Sequence, residues 1–156
     1  MGITLDGIAK GYIVDKTAEL IKNMGIKYAL INAGGDIRVI GNKYFKIAIR
    51  DSFKPSDYVE IINLKDAAIA TSGNYERYFD KEKKFFHIIN PKTGESPLKL
   101  SSVSVIAKTV TDADAISTAA FTFSPLLAKR FIESTNNSAL IITRNGFQIR
   151  SKDWPC

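Results

Sequence analysis

The chain has 156 residues, of which 45% are hydrophobic, and this size and composition predict one domain, residues 1–156, with a buried core. Its 22 lysines and arginines against 16 aspartates and glutamates give a formal net charge of +6, which suits polyanions or phosphorylated small molecules as partners. The single cysteine, Cys156, excludes an internal disulfide framework, and no stretch approaches the roughly 20 apolar residues of a membrane span.

The first predicted element is an amphipathic helix. Apolar residues recur at helical spacing from Asp6 to about Met24, and Gly25 follows where a helix-ending glycine belongs. A run of short apolar segments, separated by glycines and other turn formers, comes next and is typical of strands. These strands are predicted at residues 28–31, 37–40, 45–52, 57–64 and 67–72.

The second half of the chain is predicted to contain both strands and helices. Residues 75–89 have the pattern of a hairpin, and the densest basic run, KEKK at 81–84, is typical of its solvated tip, so we do not expect a nucleic-acid partner. Because strands outnumber helices and come in runs, the pattern predicts an α+β fold with mixed or antiparallel sheets and a few packed helices. The remaining elements are a strand at 102–109, helices at 112–122 and 125–135, and a hairpin at 139–150 turning at Asn145-Gly146.

The segment TDADAISTAAF, residues 111–121, has two interpretations. Thr111 followed three residues later by Asp114 resembles a capping box, in which the two side chains satisfy free amides of the first helical turn. Asp114 and Thr118 are also four residues apart, so they lie on one helix face and present two oxygen ligands of the kind that Mg²⁺ prefers. The sequence leaves both interpretations open.

Three further stretches contain candidate functional residues. Lys10 lies between Gly7 and Gly11, which indicates either a phosphate-binding loop or a tight turn with a solvated lysine. The pair Gly34-Gly35 allows close approach of a ligand to the backbone, or an ordinary turn between strands. His87, the only histidine, is either a packed or surface residue, or a base that acts near neutral pH.

Together these stretches resemble the ApbE family of FAD:protein FMN transferases, once described as thiamine biosynthesis lipoproteins. The resemblance implies an ApbE-like fold. It also implies an Mg²⁺-dependent enzyme that transfers FMN from FAD to a threonine or serine hydroxyl of a target flavoprotein and releases AMP. The matching segments, in order, are LDGIAKGYIVD, NAGGDIRVIG, ATSGNYERYF, HIINPKTGESP, SVSVIAKT and TDADAISTAAF.

The resemblance also implies a set of site residues. The metal ligands would be the side chains of Asp114 and Thr118 and the backbone carbonyl of Gly7. His87 is our candidate for the base that accepts the proton of the acceptor hydroxyl. Contacts to FAD would come from Thr4, Lys10 and Ile89, with the backbone of Gly34, Gly35 and Asp36 completing the wall.

The family's targets are flavoprotein subunits of membrane electron-transfer complexes. The resemblance therefore implies that the enzyme is located at the periplasmic side of the inner membrane. Two departures from the family pattern affect these expectations. Thr4 stands where many members have an acidic residue, and Asp6 is a possible substitute for it. Family members are also much longer, which keeps two alternatives open: a flavin- or nucleotide-binding module that lacks transfer, and an FAD pyrophosphatase that gives AMP and FMN.

Overall fold

The computed structural model describes residues 4–54, 56–75, 79 and 85–155. Within these residues the chain forms three helices and eight strands, and none of the helices is both long and apolar enough to cross a membrane. The helices are α1 (Ala9–Asn23), α2 (Val110–Phe121) and α3 (Pro125–Ser134). The strands are β1 (Ala29–Ala33), β2 (Asp36–Ile40), β3 (Phe45–Arg50), β4 (Tyr58–Leu64), β5 (Ala68–Gly73), β6 (Leu100–Ala107), β7 (Ser138–Thr143) and β8 (Gln148–Arg150).

Two antiparallel sheets organise the fold. Six strands form the main sheet in the order β1-β2-β5-β6-β7-β8, and β3 pairs with β4 in a separate hairpin. Residues 74–99 connect β5 to β6. Helices α2 and α3 both lie between β6 and β7 in the sequence. The α+β prediction with antiparallel sheets and packed helices is therefore confirmed.

Each face of the main sheet is buried against a different layer. Strand β7 shows this clearly, because Ile141 packs with Phe121 and Ile132 of the helices, whereas its neighbour Leu140 joins the core beneath the β3–β4 hairpin. Alternate side chains of a strand point to opposite faces, so a fully buried strand such as β7, which is apolar from Ala139 to Ile142, requires cover on both sides. The sheet therefore lies between a helical layer and the hairpin.

Predicted element boundaries differ from the structure mainly at the first helix. We predicted it from Asp6, but residues 6–8 form a turn and α1 begins at Ala9. Its end is as predicted, since Gly25 follows with a φ of +82°, a left-handed conformation that glycine adopts without strain. Most of the predicted hairpin at 75–89, including KEKK at 81–84, lies outside the described residues.

The N-terminus of α2 is capped two residues earlier than predicted. Thr109 is the N-cap, its hydroxyl accepts a hydrogen bond from the Asp112 amide at 3.1 Å, and it donates to the Asp112 carboxylate at 2.6 Å. The capping box that we assigned to Thr111 and Asp114 was therefore wrong. Thr111 lies inside the first turn, where its amide and hydroxyl both donate to Asp15 of α1, at 2.8 and 2.6 Å.

Helices α1 and α2 approach each other closely, and Gly11 makes this possible. A Cβ atom at Gly11 would lie 2.6 Å from the carbonyl oxygen of Val110 and 2.9 Å from the Cα of Thr111. Asp15, one turn further along α1, accepts from the Val110 amide at 3.0 Å and so adds a charged partner for the free amides that begin α2. The contact brings the start of α1 against the first turns of α2, beside the candidate site.

Candidate functional site

A cavity of about 690 Å³ opens beside the start of α1, between α2 and the segment that follows residue 85. The structure brings eight of the ten predicted site residues to this cavity, although they come from both ends of the sequence. These eight residues are Thr4, Gly7, Lys10, Asp36, His87, Ile89, Asp114 and Thr118. The other two, Gly34 and Gly35, lie outside it.

Asp114 is the most buried carboxylate on the α2 side of the cavity, with 7% of its surface exposed. Its Oδ2 accepts a hydrogen bond of 3.0 Å from the amide of Gly11, across the contact between the two helices. Among the described residues, Oδ1 receives no hydrogen bond, so this oxygen has lone pairs for a cation in the cavity. One helical turn later, Thr118 lines the same cavity.

Gly7 and Thr118 lie close enough to share a ligand. A Cβ atom at Gly7 would be 3.0 Å from Cγ2 of Thr118, a tight contact, and 3.5 Å from its Oγ1, so a side chain there would press on the threonine methyl group. The bare backbone of Gly7, the hydroxyl of Thr118 and the carboxylate of Asp114 form a set of oxygen donors around one space, and hard cations such as Mg²⁺ prefer oxygen donors. The residues present therefore fit the metal that we expected here.

The metal set contains a single carboxylate. Among the described residues, no group of three or more His, Cys, Asp or Glu side chains is placed to hold a metal ion. Mg²⁺ commonly keeps several waters and binds through one or two carboxylates together with substrate phosphates. The arrangement at Asp114 suits that kind of shared site better than a closed cage.

Lys10 supplies the positive charge at the cavity. It lies in the first turn of α1, its side chain is 48% exposed, and its Nζ is 3.4 Å from Oδ1 of Asp36, whose side chain is 3% exposed. The buried carboxylate anchors the ammonium group while leaving it accessible to a phosphate. Lys10 and Gly11 lie within α1 and not in a loop, and the Gly11 amide donates to Asp114, so phosphate binding at Lys10 stays a prediction that rests on the side chain.

His87 and Ile89 also line the cavity. Both are exposed, whereas the alternate residues Phe86 and Ile88 are buried in the core against the helices. Ser96 fixes this segment, since its hydroxyl accepts from the Phe86 amide and donates to the Phe86 carbonyl, both at 2.9 Å. The extended segment therefore places the His87 imidazole at the cavity without burying it.

Thr4 and Asp6 form a local turn at the cavity edge. The Thr4 hydroxyl donates to the Asp6 carboxylate at 2.7 Å and accepts from the Asp6 amide at 3.2 Å. Both residues line the cavity. Asp6 thus brings a carboxylate close to the position where many family members have an acidic residue and this chain has Thr4.

Gly34 and Gly35 form the turn between β1 and β2, with φ values of +62° and +101°. They line a different cavity, of about 510 Å³, which lies between the main sheet and the β3–β4 hairpin. Thr71 lines both cavities, so the two adjoin at this end of the sheet. Gly34 and Gly35 thus form the turn between the strands, and their contact with FAD stays a prediction.

Sequence reasoning missed the polar residues that support the site. Asp15 holds the start of α2, and Ser72 at the end of β5 forms hydrogen bonds to Ser117 and Thr118. Ser117 is fully buried, and its hydroxyl is satisfied by Ser72 and by the backbone carbonyl of Asp114. Asp15 is four residues from Gly11 on α1, and this spacing is the one signal in the sequence that relates it to the site.

Comparisons with known proteins show which family the chain resembles. The model of the ApbE family matches residues 1–142. Among curated relatives, the FAD:protein FMN transferase of Haemophilus influenzae is 35% identical over 163 residues, covering 96% of this chain and 46% of that protein. The FAD:protein FMN transferase of Treponema pallidum is 34% identical over 139 residues, covering 78% of this chain and 38% of that protein.

Solved structures show the same relationship. The ApbE protein of Thermotoga maritima matches with a TM-score of 0.89 at 34% identity, covering 96% of this chain and 51% of that one. The flavinyl transferase ApbE of Pseudomonas stutzeri matches with a TM-score of 0.81 at 27% identity, covering 96% and 49%. The chain thus spans about half or less of the length of these relatives.

Proposed function

The chain belongs to the ApbE family, and on this premise we propose that it transfers FMN from FAD to a threonine or serine hydroxyl of an acceptor protein, releasing AMP. The observation that carries the proposal is the single cavity that joins Gly7 and Lys10 to Asp114 and Thr118. The Gly11–Asp114 hydrogen bond that closes this arrangement links positions 103 residues apart. Such convergence of a cation and oxygen ligands suits a pyrophosphate substrate.

Different residues of the cavity contribute different parts of FAD binding. Asp114, Thr118 and Gly7 would hold Mg²⁺, which when bound supplies charge neutralisation at the pyrophosphate and polarises the phosphorus that is attacked. Lys10, held by Asp36, contributes a second positive charge to the same phosphates. Ile89 and Thr4 lie at the cavity wall, where they contact the nucleotide.

Transfer requires one bond to form and one to break. The oxygen of the acceptor hydroxyl attacks the phosphorus of the FMN half, and the bond between that phosphorus and the oxygen bridging to the AMP half breaks, so AMP leaves with the bonding electrons. His87 accepts the proton of the acceptor hydroxyl. Its exposure suits this role, because the hydroxyl belongs to another protein and must reach the cavity from outside.

The acceptor is a protein in this proposal, since the curated relatives carry the name FAD:protein FMN transferase. We take the acceptor to be a flavoprotein subunit of a membrane electron-transfer complex, and we place the reaction at the periplasmic side of the inner membrane. Both points rest on the family resemblance. Finding the flavinylated acceptor in the cytoplasmic fraction of the source cells would contradict the assigned location.

One assay tests the proposed reaction against its two alternatives. The protein is incubated with FAD, Mg²⁺ and a threonine-containing acceptor domain, and covalent flavin on the acceptor is measured together with free AMP and FMN. We expect one AMP for each flavin bound to the acceptor. Free AMP and FMN without labelled acceptor would instead identify a pyrophosphatase, and FAD retained without turnover would identify a binding module.

A further inference from the structure

Three hydroxyl groups connect β5 to the metal face of α2. Ser72 Oγ is 3.0 Å from Thr118 Oγ1 and 2.9 Å from Ser117 Oγ. Ser117 is fully buried and its hydroxyl donates to the backbone carbonyl of Asp114 at 3.1 Å. The hydroxyls therefore form a continuous chain that begins at the proposed ligand Thr118 and ends at the backbone of the proposed ligand Asp114.

The carbonyl at the end of this chain fixes the direction of every hydrogen bond in it. A carbonyl oxygen only accepts, so Ser117 uses its single proton on Asp114 and must accept from Ser72. Ser72 then has no proton left for Thr118, and must accept the proton of the Thr118 hydroxyl. As a result, the Thr118 proton points at β5 and its remaining lone pairs are left for the cavity.

We propose that Ser72 is a positioning residue for the metal site, which holds the Thr118 hydroxyl with its lone pairs towards the cation. The role rests on the proposed function, because it assumes that Thr118 is a metal ligand. A cation needs lone pairs, and a hydroxyl free to rotate spends part of its time presenting its proton instead. Hydrogen-bond partners that orient metal ligands typically change metal affinity by roughly 10-fold to 100-fold when they are removed.

Direct measurement of metal binding tests this role without relying on turnover. Mn²⁺, used as a spectroscopic substitute for Mg²⁺, is titrated into the protein with FAD and no acceptor protein, because substrate phosphates complete the proposed site, and the free ion is followed by electron paramagnetic resonance. We expect Ser72→Ala to weaken Mn²⁺ binding by roughly 10-fold to 100-fold. Ser72→Thr keeps the hydroxyl on a strand that accommodates β-branched residues, and it should bind Mn²⁺ as the unmodified protein does.

Ser104→Ala is the matched control. Ser104 is a buried strand serine whose hydroxyl pairs with Thr71 at 2.8 Å, and within the described part of the chain it forms no hydrogen bond to Thr118. Its loss should leave the Mn²⁺ affinity unchanged, and thermal unfolding of each variant without metal shows whether the fold is intact. If Ser72→Ala does not fold, Ser72→Cys replaces it, since a thiol is a weak acceptor and should weaken binding in the same direction.

The outcomes separate this role from the proposed function. If the unmodified protein with FAD binds no more Mn²⁺ than FAD alone, the metal-dependent function fails, and the role of Ser72 fails with it. Equal Mn²⁺ affinity in Ser72→Ala and the unmodified protein overturns the role of Ser72 and leaves the proposed function standing. A folded Ser72→Thr that binds as weakly as Ser72→Ala also overturns the role, because the hydroxyl would then not be the cause.

Discussion

Replacing Gly11 with alanine should destabilise the protein, although the same change in an isolated helix stabilises it by about 1 kcal/mol. The added Cβ would lie 2.6 and 2.8 Å from the carbonyl oxygen and carbon of Val110, and 2.9 Å from the Cα of Thr111. All three are backbone atoms, so no side chain can rotate away and α1 must shift from α2. Overpacking of this kind costs about 1–3 kcal/mol, and contacts this short favour the upper end. We expect a net loss of about 1–2 kcal/mol after the helix-propensity gain.

Urea denaturation measures this loss as a lower transition midpoint with an unchanged slope. Thr17→Ala is the control, because Thr17 is exposed on the outer side of the same helix and alanine there should be neutral or stabilising. The shift of α1 should also weaken Mn²⁺ binding, since the Gly11 amide holds Asp114. A Gly11→Ala protein as stable as the original would refute the close approach of the two helices.

Three further substitutions test separate parts of the site. Asp114→Asn should abolish metal dependence of the reaction and Mn²⁺ binding. The control Asp57→Asn, at an exposed position between β3 and β4, should change neither. Full metal-dependent activity in the Asp114→Asn variant would exclude Asp114 as a ligand. His87→Ala should leave FAD binding nearly intact and slow FMN transfer by roughly 10²–10⁴-fold, and an unchanged rate would remove His87 from the mechanism. Asp15→Asn should lower the free energy of unfolding by about 1–3 kcal/mol, because it removes the charge that accepts from the Thr111 amide and hydroxyl; an unchanged urea midpoint would contradict this.

The sequence predicted the elements well where the signal is local. Hydrophobic spacing located the strands, and the Asn145-Gly146 turn located the last hairpin, because each depends on neighbouring residues alone. The start of α2 was wrong for an instructive reason. Both Thr109 and Thr111 have an aspartate three residues later, so the capping-box pattern occurs twice in overlapping registers. In the structure Thr109 caps the helix, and Thr111 instead donates to Asp15, which is far away in the sequence.

The sequence predicted which residues line the cavity better than it predicted the contacts between them. The helical spacing of Asp114 and Thr118 placed them on one face, and the structure confirms that both line the same cavity as Lys10. The role of Gly11 was not predictable, because a glycine beside a lysine reads locally as a flexible loop. Only the packing of α1 against α2 shows that its missing side chain is a requirement of the contact.

A crystal structure of the protein with Mn²⁺ and FAD tests the central claim most directly, since the anomalous signal of manganese identifies the ion. We expect the ion about 2 Å from the Asp114 carboxylate, the Thr118 hydroxyl and the Gly7 carbonyl. The FAD pyrophosphate should lie between this ion and Lys10. An ion bound away from Asp114 and Thr118, or a pyrophosphate outside the cavity that they line, would contradict the proposed site.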